Sequence, residues 1–191
     1  MQKVIALLAQ SPVLSGFSKQ AEFRRDIPFY TPDQIFAEGI WHTDEQFVFD
    51  RRLIPAAIFF KDGAVLGYQN GHMFRIWFGE PVGQKDILQY PDCEHLLGRT
   101  LKKERIKQGT PYRFIGYCTW TQAQTLPEFL IIYAVCPEKK ALLKNELWIH
   151  PEKDLSIYYA MDPLSRRIFD TVYESNDLRE EFLFNKNKKN S

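Results

Sequence analysis

The sequence predicts an α+β domain built on a mixed sheet. Apolar, strand-like runs and helical segments succeed each other without a strict strand–helix–strand repeat, which argues against a doubly wound parallel sheet. The dipeptide Asp62-Gly63 between two apolar runs marks a β-hairpin. The pair Asp162-Pro163, opening an amphipathic stretch, marks a closing helix.

Taken in order, Met1 to Gln10 holds one Lys and a short apolar stretch. It is too short for a secretory signal and reads as a helix or strand of the domain. Thr31-Pro32-Asp33-Gln34 has the pattern of a capped helix start, and Gly39 is placed to end that helix. Leu53 to Phe60 and Ala64 to Tyr68 are the two hairpin strands. Pro55 places the start of the first near an edge or a bulge. His72 to Phe78 is a third strand candidate. Asp92 to Gln108 reads as a helix capped by Asp92, with Leu97 and Leu101 on one stripe, and Gly109-Thr110-Pro111 stops it. Strands are expected over Tyr112 to Trp120, Glu128 to Cys136 and Ala141 to Ile149. The last helix begins at Asp162-Pro163, buries Leu164, Ile168, Phe169 and Val172, and runs to Phe184 with a break near Asn176.

The 191 residues fit a single domain over 1–191, with an N-terminal extension over 1–52 and a polar tail over 185–191. The 25 basic residues against 24 acidic ones give a net charge of +1, so no global field marks a nucleic-acid or membrane partner. No stretch is long and apolar enough to span a bilayer. The three cysteines, Cys93, Cys118 and Cys136, are too few and too scattered for a disulfide framework. Cys118 and Cys136 sit in apolar runs and are expected as buried thiols, which suits a cytoplasmic location.

The four histidines show no zinc spacing. Cys93 and His95 are too close on a helix to face each other as nucleophile and base. Arg51-Arg52 could grip a phosphate or carboxylate or be plain surface charge. Of the four Trp residues, Trp120 at a strand end is the candidate pocket wall.

The element order, together with Gly98 to Lys107, resembles the Nudix family. Its signature reads Gly, five residues, Glu, seven residues, Arg-Glu-apolar-any-Glu-Glu-any-Gly. Arg99 stands at the signature arginine, Leu101 at the apolar position and Glu104 at the final Glu. Thr100 and Lys103 stand where the other two Glu residues belong. Phe78 to Asp86 is similar to the family's glycine loop, and the strands over 113–117 and 129–135 to those that follow the box. The resemblance covers about 53–173 and implies an α/β/α sandwich with a mixed sheet.

In the family, three helix carboxylates hold Mg2+ or Mn2+. Positions one, four and five of a helical stretch share a face, so Thr100, Lys103 and Glu104 are expected to point the same way. One carboxylate, one hydroxyl and one ammonium there imply that ordinary Nudix hydrolysis is lost or much weakened, and no cofactor is expected. Lys103 would then draw a phosphate directly, with Arg99, Arg51, Arg52 and Trp120 as further ligand contacts. The expected partner is a small phosphorylated, nucleotide-like ligand or a protein. The alternative is a phosphoanhydride hydrolase with a rearranged Mg2+ site built from Glu104 with Asp86, Glu80 or Glu94. A third reading is a protein-interaction or immunity-type protein without small-molecule chemistry.

Overall fold

Strand β1 (Phe29–Tyr30) stands apart in sequence from the hairpin strands β2 (Arg52–Lys61) and β3 (Ala64–Asn70). The hairpin turn is the one that Asp-Gly predicts: Asp62 and Gly63 both take left-handed backbone, at φ 50° and 79°. A side chain at Gly63 would also meet the Leu183 carbonyl oxygen at 2.7 Å. These features come from a computed structural model, which describes residues 29–30, 52–82, 93–120 and 128–184. The expected elements over 1–10 and 31–39 and the polar tail lie outside those residues.

The remaining strands are β4 (Met73–Arg75), β5 (Tyr112–Trp120), β6 (Glu128–Val135) and β7 (Glu146–Ile149). The sheet order is β1-β5-β6-β2-β3-β4, with β7 also paired to β3. Strands β2 and β6 run parallel, from Arg52 opposite Glu128 to Phe59 opposite Val135, while the other ladders are antiparallel. The sheet is therefore mixed. Its central pair is buried on both faces, which is why β2 and β6 read as continuous apolar runs rather than alternating ones.

The helices are α1 (Cys93–Lys103), α2 (Leu155–Ala160), α3 (Pro163–Glu174) and α4 (Asn176–Leu178). A π-helical turn, Arg179–Phe184, follows α4. Ile54, Ala56, Ile58 and Phe60 of β2 form one core with Leu164, Ile168, Phe169 and Val172 of α3. Helix α1 packs against β2 from the other face. Neighbouring residues show the two layers: Phe59 meets Phe78 at 5.4 Å between ring centroids, and Phe60 meets Phe182 at 5.1 Å.

Asp162 caps α3 as its sequence predicts, accepting from the Ser165 backbone N–H at 2.9 Å, with Pro163 in the first turn. The buried Ser165 hydroxyl donates to Asp162 and accepts from the Ile76 N–H at 3.0 Å, which ties the segment after β4 to the start of α3. The break at Asn176 is real: Ser175 caps a new turn there. Helix α2 was not legible in the sequence. It is capped by Asp154, which accepts from Ser156 N and Ile157 N, but it buries none of its residues and so shows no apolar stripe.

Several boundaries differ from expectation. Helix α1 ends at Lys103 rather than Gln108. Arg105 turns left-handed at φ 57°, its N–H bonds to the Lys102 carbonyl, and the Ile106 N–H bonds back to the Leu101 carbonyl. This is a Schellman stop, with Ile106 buried beneath it. The position suits glycine, so Arg105→Gly is expected to raise stability by up to ~1 kcal/mol by removing left-handed strain. Urea denaturation reads this, and a stability loss would count against the strain account.

Strand β7 is only the end of the expected 141–149 run, because Asn145 at φ 67° breaks the chain just before it. The 72–78 candidate shrinks to β4 plus one bridge, in which Phe78 and Ala57 exchange backbone hydrogen bonds. Around Pro55, β2 is laddered to β6 alone, since its pairing with β3 is confined to Phe60 and Lys61, so the expected edge position holds locally. Pro55 shares the side of β2 that Ala57 turns toward Phe78, away from β6, so no ladder bond to β6 needs its missing N–H. Cys118 is buried, and burial pushes its thiol well above the ordinary range. Cys136, one residue past β6, is exposed, contrary to expectation. No helix among the described residues is long and apolar enough to cross a membrane.

Candidate functional site

A cleft of about 960 Å³ opens between α1, the 78–82 segment, the β3 and β4 strands, and the loop entering β7. Close backbone packing sets one wall. A side chain at Gly79 would meet the Pro55 carbonyl oxygen at 2.7 Å and Ala56 Cα at 3.2 Å, so glycine lets the Phe78-Gly79-Glu80 segment lie directly on β2. That placement brings Glu80 to the cleft mouth, opposite α1.

The mouth is basic. Arg75, Arg99, Lys102, Lys103 and Lys144 all line it. Glu80 is ion-paired with Lys103, both well exposed. The Arg75 guanidinium lies 4.3 Å over the Trp77 ring, so it is held at the wall by a cation–π contact. Trp77 also lines an adjoining groove of about 450 Å³, which runs toward Glu128 and the start of α3.

The floor is a buried ion triad. The Lys140 side chain is 0% exposed, and those of Glu104 and Glu146 are 8% and 3% exposed. Lys140 Nζ donates to Glu104 Oε2 at 3.2 Å, to Glu146 Oε2 at 2.9 Å and to the Ala141 carbonyl at 3.4 Å. Glu146 Oε2 also accepts from the Leu143 N–H at 2.7 Å. An ammonium has three protons to donate, and all three find acceptors here.

Burial holds the Glu104 carboxyl above its ordinary value of 4.5; Lys140 opposes the shift and Glu146 adds to it. The sign follows from linkage. The folded chain keeps this proton to higher pH than the unfolded chain does. The stability it contributes is full below pH 4.5 and is lost as pH rises through the folded value. Glu104→Gln is expected to flatten the stability–pH curve above pH 4.5 by at most ~1.4 kcal/mol per pH unit. Urea unfolding across that range checks it, and an unchanged slope would contradict it.

Thr100, Lys103 and Glu104 all line the cleft, at different depths. Thr100 is buried and its hydroxyl donates to the Pro55 carbonyl at 3.2 Å; Glu104 is buried; Lys103 is exposed on the rim. Arg99 lines the cleft with Lys102 and Lys103. Arg51 and Asp86 lie outside the described residues, and the side chains of Arg52, Glu94 and Trp120 are likewise undescribed. The backbone register does align Arg52 with Glu128 and Glu128 with Trp120, at one end of the sheet. Lys140, Glu146, Lys144 and Arg75 went unread in the sequence. Lys140 sits in Pro137-Glu138-Lys139-Lys140, which has the look of a solvated turn, and nothing local marks it as buried.

No protein-family model and no curated protein matches the chain. Solved structures do. The structure described as "Crystal structure of Tm1382, a putative Nudix hydrolase" matches with a TM-score of 0.54 at 12% identity, over 78% of this chain and 88% of that one. The solution structure of the E. coli ORF135 protein matches with a TM-score of 0.44 at 14% identity, over 65% and 90%. At such identity the first match speaks for the fold alone. A mixed sheet between helices, with this element order and this likeness, makes the fold Nudix-like.

Proposed function

We propose that the chain is a Nudix-like domain that no longer carries out ordinary metal-dependent hydrolysis and binds a phosphorylated, nucleotide-like ligand in its cleft. The observation that carries this reading is the basic rim: five cationic side chains, Arg75, Arg99, Lys102, Lys103 and Lys144, around one opening. Arginine forks and lysine ammoniums are the groups that grip phosphates.

The end of α1 supports the same reading through its register. The signature's last glycine suits a left-handed residue, and that residue is Arg105. This shifts the box by one residue from the alignment in which Glu104 is its final Glu. The signature arginine then falls on Gly98 and the apolar position on buried Thr100 rather than Leu101, and the three Glu positions fall on Arg99, Lys102 and Lys103. Three cations would stand where the family holds three carboxylates.

The described residues do not by themselves fit the divalent metal that the family implies, and Asp86 and the Glu94 side chain lie outside them. Among the described residues no three His, Cys, Asp or Glu side chains gather to hold a metal ion. Glu80 is engaged by Lys103, and Glu104 and Glu146 by Lys140.

The test is a thermal-shift screen of the full chain against pyrophosphate, nucleoside diphosphates and nucleotide sugars, with turnover followed in parallel. Binding to the folded state raises the melting temperature by mass action. The expected result is a ligand-dependent rise that weakens with salt, without phosphate release. No shift from any of these compounds would remove the anion-binding reading; rapid metal-dependent turnover would remove the loss of hydrolysis.

A further inference from the structure

Every described carboxylate that lines the cleft is matched to a lysine of the same chain. The deepest match is the most constrained. Glu104 is the residue by which the chain leaves α1, and Glu146 is the first residue of β7. Both line the cleft, and the Lys140 ammonium is held between them. The loop that brings it there is closed on itself. The Glu146 N–H bonds the Leu143 carbonyl at 3.1 Å, and the Glu146 carboxylate takes the Leu143 N–H. The left-handed Asn145 makes that return possible.

A divalent cation such as Mg2+ or Mn2+ needs hard oxygen ligands, mostly carboxylates and water. Two carboxylates at the base of a cleft are the beginning of such a site, and here the oxygens that face each other are already spent on an ammonium. The ammonium is covalently attached, so it is present at any metal concentration.

We propose that Lys140 is the resident cation of this cleft, a built-in substitute for a divalent metal that occupies the facing oxygens of Glu104 and Glu146, offsets one of their two charges and lets an anionic ligand bind with no metal at all. The ligand half of this statement rests on the anion-binding reading above, whereas the cation half stands on the triad alone. Two consequences follow. Chelation does not weaken ligand binding. Removing the ammonium uncovers a two-carboxylate site that a metal can enter.

The experiment uses the full chain as wild type, Glu104→Gln, Lys140→Ala, and Lys140→Ala combined with Glu104→Gln. Each is titrated with Mn2+ alone, and free Mn2+ is followed by its electron paramagnetic resonance signal. Wild type is expected to leave Mn2+ free, Lys140→Ala to bind it at least about tenfold more tightly, and the added Glu104→Gln to abolish the gain. Wild-type Mn2+ binding that Glu104→Gln removes would overturn the proposal. So would a folded Lys140→Ala that takes up no Mn2+. If Lys140→Ala does not fold, wild-type affinity for pyrophosphate, measured with EDTA and then with Mn2+, decides the matter. Equal affinities support the proposal, and a requirement for Mn2+ overturns it. The Mn2+ titration contains no phosphorylated ligand. A failure of pyrophosphate to bind under either condition therefore refutes the anion reading while the titration still judges Lys140.

Discussion

Lys140→Ala is expected to lower stability at neutral pH by ~3–5 kcal/mol, the usual cost of removing one partner from a buried ion pair. The side chains of Glu104 and Glu146, 8% and 3% exposed, would be left facing each other with no counter-charge. The hydrogen bond to the Ala141 carbonyl would go as well. The triad with all groups ionised carries one negative charge; without Lys140 it would carry two, in a poorly solvated place. The loss has a pH signature. Without the ammonium the Glu104 carboxyl is pushed up further, so the variant regains stability as pH falls and loses it as pH rises. Glu104→Gln and Glu146→Gln in the Lys140→Ala background are expected to recover a large part of the loss. Urea unfolding of the four chains checks both points. A cost below ~1 kcal/mol would mean that the triad is solvated in solution and that the floor of the cleft is not built as described.

Charge reversal at the rim is expected to have the largest effect on binding. Arg99→Glu with Lys102→Glu replaces two of the cations that line the opening. A hydrogen bond to a charged group contributes about 1.5–3 kcal/mol, so losing two and adding repulsion predicts at least ~100-fold weaker binding of pyrophosphate. Stability should scarcely move, because both positions are exposed. The wild-type affinity should fall with rising salt, and the variant's residual affinity should respond less. Isothermal titration at two salt concentrations separates these outcomes. An unchanged affinity would place any ligand outside this cleft.

The rim was partly legible in the sequence and the floor was not. Arg99 and Lys103 stand in the box-like stretch and could be singled out from it. Their neighbours Arg75 and Lys144 come from β4 and from the loop before β7, and only the packing of those elements against α1 collects them at one opening. Thr100, Lys103 and Glu104 do line one cleft, but that Glu104 is buried while Lys103 stays on the rim was not legible. A left-handed Arg105 ends α1 just past Glu104, and no glycine in the sequence announced that stop.

The sequence by itself determined the elements whose signals are local. Asp62-Gly63 set the hairpin and its turn type, Asp162-Pro163 set the first turn of α3, and the apolar runs set β5 at Tyr112–Trp120 and β6 from Glu128. Turn chemistry and capping act within a few residues, so those residues suffice to specify them. Tertiary structure decided which charges are buried. Lys140 reaches Glu104 across 36 positions of chain, and Lys139 beside it stays exposed. The pattern of Lys and Glu along the chain is the same whether a lysine faces water or a pair of carboxylates. Its surroundings are settled only when α1, β7 and the loop between β6 and β7 close on each other, because desolvation depends on every atom packed around a charge and not on its neighbours in sequence.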